Sequence, residues 1–277
     1  MSLPDFLIEG IVRRALEEDL GVAGDVTSAI VPREAMRAQF VTRKAGVIAG
    51  LQPARIACAL VDTHLIFRPL VEDGAKVGAR FAIAEIEGPA HAVLTAERTA
   101  LNFLTHLSGI ATLTAAYVEA VAGTGAKIAG TRKTLPGLRA LQKAAIVAAG
   151  AWPHRYGLDD AILIKDNHIA AAGGAANALR RARDHAGHMM AIEVEVDSLA
   201  QLDEVLPFKP HAVLLDNFSL DDLRAAVTRA KGQTISEASG GVTLETVRAI
   251  AETGVDVISA GALTHSAPAL DIGLDAV

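Results

Sequence analysis

From residue 126 onwards the sequence alternates strand-like apolar runs with helical patterns. The runs are Ala126–Gly130, Ala161–Ile164, Ala191–Val196, Ala212–Leu215, Thr234–Ala238 and Asp256–Ser259. Between them, apolar residues recur at helical spacing over Leu138–Ala149, Ala175–Ala186, Ser198–Leu206, Leu220–Ala230 and Leu244–Thr253. Successive parallel strands need a crossover, and a helix is the usual one, so this alternation implies βαβ units and a parallel sheet. Aromatic residues make up only 4% of the chain, so the core must be packed from aliphatic side chains.

The polar residues choose between the two ways of closing such a sheet. Thr131-Arg132-Lys133 follows the first run, Lys165-Asp166-Asn167-His168 the second, and Glu195 lies near the end of the third. Asp216-Asn217, Ser239-Gly240-Gly241 and Ser259-Ala260-Gly261 follow the fourth, fifth and sixth. Every strand delivers functional groups at its C-terminal end. That is a β/α barrel with one mouth, whereas an open doubly wound sheet gathers them at a single switch point. Only six strands are clear where eight are usual, so the barrel is expected to be incomplete.

The first half has another rhythm. Phe6–Leu20 has helical spacing, short strand-like runs occur at Ala38–Arg43, Leu65–Val71 and Phe81–Glu87, and Ile56–Leu60 reads as helix. Thr95–Ala122 reads as a long helical stretch with a break at Ser108-Gly109. This half reads as α+β, and with the strand–helix repeat that follows it the chain as a whole reads as α/β. The expected division is 1–112, 113–265, and a tail over 266–277 that packs back on the N-terminal domain.

Composition narrows the function classes. A net charge of −6 argues against phosphate-backbone recognition, so no nucleic acid is expected, although a local cationic cluster still suits a small anion. No apolar run approaches the roughly 20 residues that cross a bilayer. The N-terminus lacks a signal-peptide pattern, and the lone Cys58 excludes an intrachain disulfide; a cytoplasmic protein is expected. The histidines lack metal-ligand spacing, and no dedicated protein metal site is expected.

Three groups carry chemistry. Arg132, Lys133, His154, Arg155 and Lys165 concentrate cations in the first two strand–loop units, and guanidinium forks grip planar carboxylates. Glu193 and Glu195 are two apart in one strand and share a face. Glu195 and Asp216 are candidates for ribose hydroxyls, directly or through Mg²⁺, whereas Glu193 reads equally as an ion pair inside the barrel. The glycine-rich loops at Ser239-Gly240-Gly241 and Gly261, with a helix N-terminus, suit a phosphate. His168 reads either as an acid–base group or as packing at the strand end.

These segments resemble the quinolinate phosphoribosyltransferase family along nearly the whole chain. The matching stretches include Glu18-Asp19-Leu20-Gly21, Gly24-Asp25-Val26-Thr27-Ser28, Glu97-Arg98-Thr99-Ala100-Leu101-Asn102 and Leu107-Ser108-Gly109. They continue through Thr131-Arg132-Lys133-Thr134, His154-Arg155, Ile164-Lys165-Asp166-Asn167-His168, Glu193-Val194-Glu195-Val196, Leu215-Asp216-Asn217 and Glu237-Ala238-Ser239-Gly240-Gly241. The resemblance implies an N-terminal α/β sandwich-like domain plus a C-terminal incomplete (open) β/α barrel, and transfer of phosphoribosyl from phosphoribosyl pyrophosphate to quinolinate, with decarboxylation, in NAD biosynthesis. It implies Thr131, Arg132, Lys133, His154, Arg155 and Lys165 around quinolinate, and Glu195 and Asp216 on the ribose and Mg²⁺ side. Ser239, Gly240 and Gly261 fall to the 5′-phosphate. Lys133, Lys165, Glu195 and Asp216 are the implied catalytic groups. It also implies a homodimer in which Arg98 of one subunit completes its neighbour's site.

The sequence departs from the family pattern at Gly150-Ala151-Trp152-Pro153, where a run of glycines followed by Asn is common. A related subgroup associated with molybdenum transport genes lacks the complete Lys-Asp-Asn-His element, which is intact here at Lys165 to His168. Two rivals remain in view: a Schiff-base aldolase with Lys165 or Lys133 as nucleophile, and a non-catalytic sensor of pyridine carboxylates.

Overall fold

The structure is a computed structural model and describes residues 3–31 and 34–277. The chain divides into two compact units: one of residues up to Ala115 with Thr134–Gly150 and Leu263–Val277, the other of Ala116–Lys133 and Ala151–Ala262.

The second unit holds the strand–helix repeat. Six parallel strands, Lys127–Ala129, Ile162–Ile164, Ile192–Val196, Ala212–Asp216, Ile235–Ser239 and Val257–Ser259, form one sheet. In spatial order they run first, sixth, fifth, fourth, third, second. Joining first to sixth curls the sheet toward a barrel, and it stays open between the first and second strands, as an incomplete barrel requires. Along the third strand Ile192, Val194 and Val196 are buried while Glu193 and Glu195 alternate with them, the period-two pattern of a strand with two different faces.

At the open seam the Trp152 backbone extends the first strand's ladder. Trp152 N–H donates to Ile128 O and Gly130 N–H donates to Trp152 O, each at 2.8 Å. The departure at Trp152-Pro153 therefore lies where backbone atoms make the bonds, and the Trp152 side chain is half exposed.

In the first unit, strands Ala35–Thr42, Ile66–Pro69, Ala82–Pro89 and Ile272–Ala276 form an antiparallel sheet. The last strand pairs with the first, in register from Ala38 opposite Ala276 to Thr42 opposite Ile272. Phe40, Ile48, Ile83, Ile86 and Leu104 are fully buried in its core. Helices Asp5–Leu20 and Leu51–Val61 accompany the sheet.

The expected break at Ser108-Gly109 is absent, since one helix runs unbroken over Ala90–Ala120. Both residues instead serve close packing. The Ser108 hydroxyl donates to Ala49 O and accepts from Ala49 N–H, each at 3.0 Å. A Cβ on Gly109 would lie 2.1 Å from Pro268 O. The helix expected over 244–253 forms only over Val247–Ala251, and a helix over Asp166–Ala172 follows directly on Lys165.

Candidate active site

The strand register places the carboxylates. Glu195 pairs with Leu214, and Leu214 with Glu237, so the three form one row on one face of the sheet. Glu193 lies on the same face of its strand as Glu195. Acidic side chains on an aliphatic sheet face are costly unless paired, and each has a cationic or hydrogen-bonding neighbour.

For Glu193 and Glu237 that neighbour is His154. The Nε2 atom of His154 lies 3.4 Å from Glu193 Oε2 and 3.3 Å from Glu237 Oε1. His154 Nδ1 accepts the Arg155 backbone N–H at 2.7 Å, so the ring proton sits on Nε2, between the carboxylates. Burial alone would lower the His154 pKa, but the hydrogen bonds and charges of Glu193 and Glu237 outweigh it and raise it to about 9. Burial first, and then the charge of Glu237, raise Glu193. A proton added to the ring would occupy Nδ1, which the amide already fills. The retained proton therefore belongs to the coupled set of His154, Glu193 and Glu237 as a whole.

Among the described residues these three form the one group able to offer three metal-ligand atoms, all within 4.8 Å of one another. A ring whose Nε2 bears hydrogen has no lone pair there for a metal, and the arrangement is one of hydrogen bonding. Neither Glu237 nor its partnership with His154 was evident in the sequence. The available signal was its place two residues before Ser239, on the same face of the fifth strand.

The cations gather at the ends of the first two units. Thr131 Oγ1 accepts the Lys133 backbone N–H at 3.0 Å, which shapes the turn after the first strand. Burial, and next the guanidinium of Arg132, push Arg155 below its ordinary value, which records how near the two like charges lie. Arg155 Nη1 donates to Ala161 O at 3.1 Å. Asp160 accepts the N–H groups of Tyr156 and Gly157 at 2.6 and 3.1 Å, closing the loop that carries His154 and Arg155. Guanidiniums gathered at one place suit an anion with two carboxylates.

Lys165 Nζ donates to Glu195, and the pair joins the second strand end to the third. His168 Nδ1 accepts the Lys165 N–H at 3.0 Å, so His168 caps the helix Asp166–Ala172. That contact gives His168 a local structural bond through Nδ1. Asp216 accepts from Asn217 Nδ2 at 2.7 Å, and Asn217 N–H donates to Ser239 O at 2.9 Å. Gly240 has φ +91°, and a Cβ there would meet Asn217 Oδ1 at 2.2 Å, so glycine is required on both counts. Gly261 ends the sixth strand segment, half-buried. The helix after the Gly240 loop is too short to act as an anion site, which leaves the loop's own amides for a phosphate. Arg98 is exposed on Ala90–Ala120 in the other unit.

The family models for the quinolinate phosphoribosyl transferase N-terminal and C-terminal domains match residues 25–108 and 110–275. The chain belongs to the quinolinate phosphoribosyltransferase family. It is 48% identical over 271 residues to the nicotinate-nucleotide pyrophosphorylase [carboxylating] of Mycobacterium leprae, covering 95% of each chain. To the probable enzyme of that name from Bacillus subtilis it is 42% identical, covering 93% of this chain and 89% of the relative. The solved nicotinate-nucleotide pyrophosphorylase of Francisella tularensis superposes with a TM-score of 0.96 at 38% identity, covering 100% of this chain and 98% of that one. Membership in this family, with a barrel built to its pattern, disfavours the aldolase and sensor readings.

Proposed function

We propose that this chain transfers the phosphoribosyl group of phosphoribosyl pyrophosphate to quinolinate, giving nicotinate mononucleotide, pyrophosphate and carbon dioxide. The observation that carries the reading is the gathering of cations at the ends of the first two strands, Arg132 and Lys133 after Lys127–Ala129 and Lys165 after Ile162–Ile164, with Arg155 on the loop between them, a set suited to two carboxylates. Arg132, Arg155 and Lys133, with Thr131 shaping their turn, grip quinolinate. Lys165, held by Glu195, faces the same ligand. Glu195 and Asp216 serve the ribose, while the amides around Ser239, Gly240 and Gly261 receive the 5′-phosphate.

The pyridine nitrogen forms its bond to the anomeric carbon as the bond from that carbon to pyrophosphate breaks. Positive charge develops on the ribose, and the carboxylates of Glu195 and Asp216 stabilise it. The carboxyl group beside the new cationic nitrogen then leaves as carbon dioxide. Its bonding pair stays on the ring carbon, which takes a proton. Losing one such electrostatic contact costs about 3 kcal/mol of transition-state stabilisation.

Glu195 and Asp216 offer hard oxygen donors of the kind Mg²⁺ accepts. Each already has a partner, Lys165 and Asn217 respectively, and neither joins a three-ligand group among the described residues. That donor set fits an ion carried in mainly by phosphoribosyl pyrophosphate. When bound, Mg²⁺ supplies charge neutralisation for the leaving pyrophosphate.

The proposed assembly is a homodimer in which Arg98 of each subunit completes the other's site. The test uses two variants. Arg132→Ala should lose most turnover with quinolinate, and near-normal turnover would sink the pocket. Mixed Arg98→Ala and Lys165→Ala subunits should regain part of the activity that each lacks alone. No recovery after confirmed subunit exchange would reject the shared site.

A further inference from the structure

We infer that Glu237 and Glu193 are positioning residues that act through the His154 ring to set the Arg155 guanidinium at the quinolinate site. This deepens the proposed function and rests on it. The Glu237 carboxylate is 5% exposed, and its Oε1 lies 3.3 Å from His154 Nε2, an ion-pair contact outside hydrogen-bond geometry. A buried carboxylate costs several kcal/mol unless it is answered by a partner, so an aliphatic side chain would suit this strand better for stability alone.

His154 also adopts φ +55°, a left-handed conformation that is uncommon for a residue with a Cβ. Something must hold it there, and the contacts of Nε2 with the third and fifth strands do so. On the other side of the ring, Nδ1 takes the Arg155 amide, so the ring orientation fixes the peptide from which Arg155 departs. The bond from Arg155 Nη1 to Ala161 O anchors the far end of that side chain. A chain of contacts thus leads from Glu237 to the guanidinium. The charged groups bearing on it are Glu193 from the third strand, Glu237 from the fifth, Asp160 in the loop and Arg132 after the first strand. Where a carboxylate orients a metal-ligating histidine its loss costs about 10–100-fold in affinity or activity, and the lower end of that range is the effect expected here.

The test combines kinetics with the state of the ring. Glu237→Gln should raise the quinolinate KM about tenfold and leave the phosphoribosyl pyrophosphate KM within about twofold. In a His154→Gln background the same substitution should add nothing, because the carboxylate acts through the ring. An unchanged quinolinate KM, or effects that simply add, would overturn the inference. Should Glu237→Gln fail to fold, histidine labelled with nitrogen-15 in the unaltered protein decides. Hydrogen on Nε2 and a bare Nδ1 support the chain of contacts, and a ring that carries hydrogen on Nδ1, alone or together with Nε2, rejects it. An unaltered protein that makes no mononucleotide would instead reject the function, while the ring measurement would still stand.

Discussion

Asp25 accepts the N–H groups of Thr27 and Ser28 at 3.0 and 2.9 Å, and the Thr95 hydroxyl at 3.0 Å. These bonds, led by those from Ser28, hold its carboxyl down at about 2 against an ordinary 3.8. A depressed carboxylate stabilises the fold above its unfolded pKa, and that contribution is lost as pH falls through the folded one. Asp25→Asn should therefore lower stability at neutral pH and flatten its loss between about pH 4 and 2. Urea midpoints measured across that range check both effects, and parallel curves would contradict them. Burial pushes the Cys58 thiol up to about 12. Since the thiolate is the reactive form, Cys58 should resist a disulfide reagent at pH 8 in folded protein and react once denatured. Rapid labelling of the folded chain would show the site to be open.

At the scale of elements, Gly109 shows that tertiary packing decides the sign of a substitution. Replacing a helical glycine by alanine ordinarily gains about 1 kcal/mol. Here the added carbon meets Pro268 O at 2.1 Å, and overpacking of that kind costs about 1–3 kcal/mol. Gly109→Ala should accordingly lower the melting temperature, and a rise would mean that the 268–270 segment yields easily. The same position explains why the long helix was read as broken: Ser-Gly is a turn signal only where no neighbour needs the space. The six barrel strands were legible because their apolar runs are bounded by polar strand ends, as Ile192–Val196 and its flanking Asp197 show. Ile272–Ala276 escaped notice, since only Ile272 and Leu274 are large and apolar there and its pairing partner is over 200 residues away. The helix Asp166–Ala172 was hidden because its first turn carries the polar residues read as a strand end.

Across the whole molecule, the sequence revealed which residue types stand at the strand ends but not which of them touch. Lys165 and Glu195 were placed separately by type, and only the fold joins them. Glu193 was open between two readings until His154 arrived beside it from a loop nearly 40 residues away. Glu237 was invisible as a site residue because a single buried Glu in a strand has no spacing to give it away. The central claim is that the cationic strand ends, the carboxylate row and the glycine loops act together on quinolinate and phosphoribosyl pyrophosphate. The most direct test supplies both with Mg²⁺ to the purified protein and follows carbon dioxide released from the quinolinate carboxyl beside the ring nitrogen. The account predicts one carbon dioxide for each nicotinate mononucleotide formed, and none without phosphoribosyl pyrophosphate. Binding of quinolinate with neither product would contradict it.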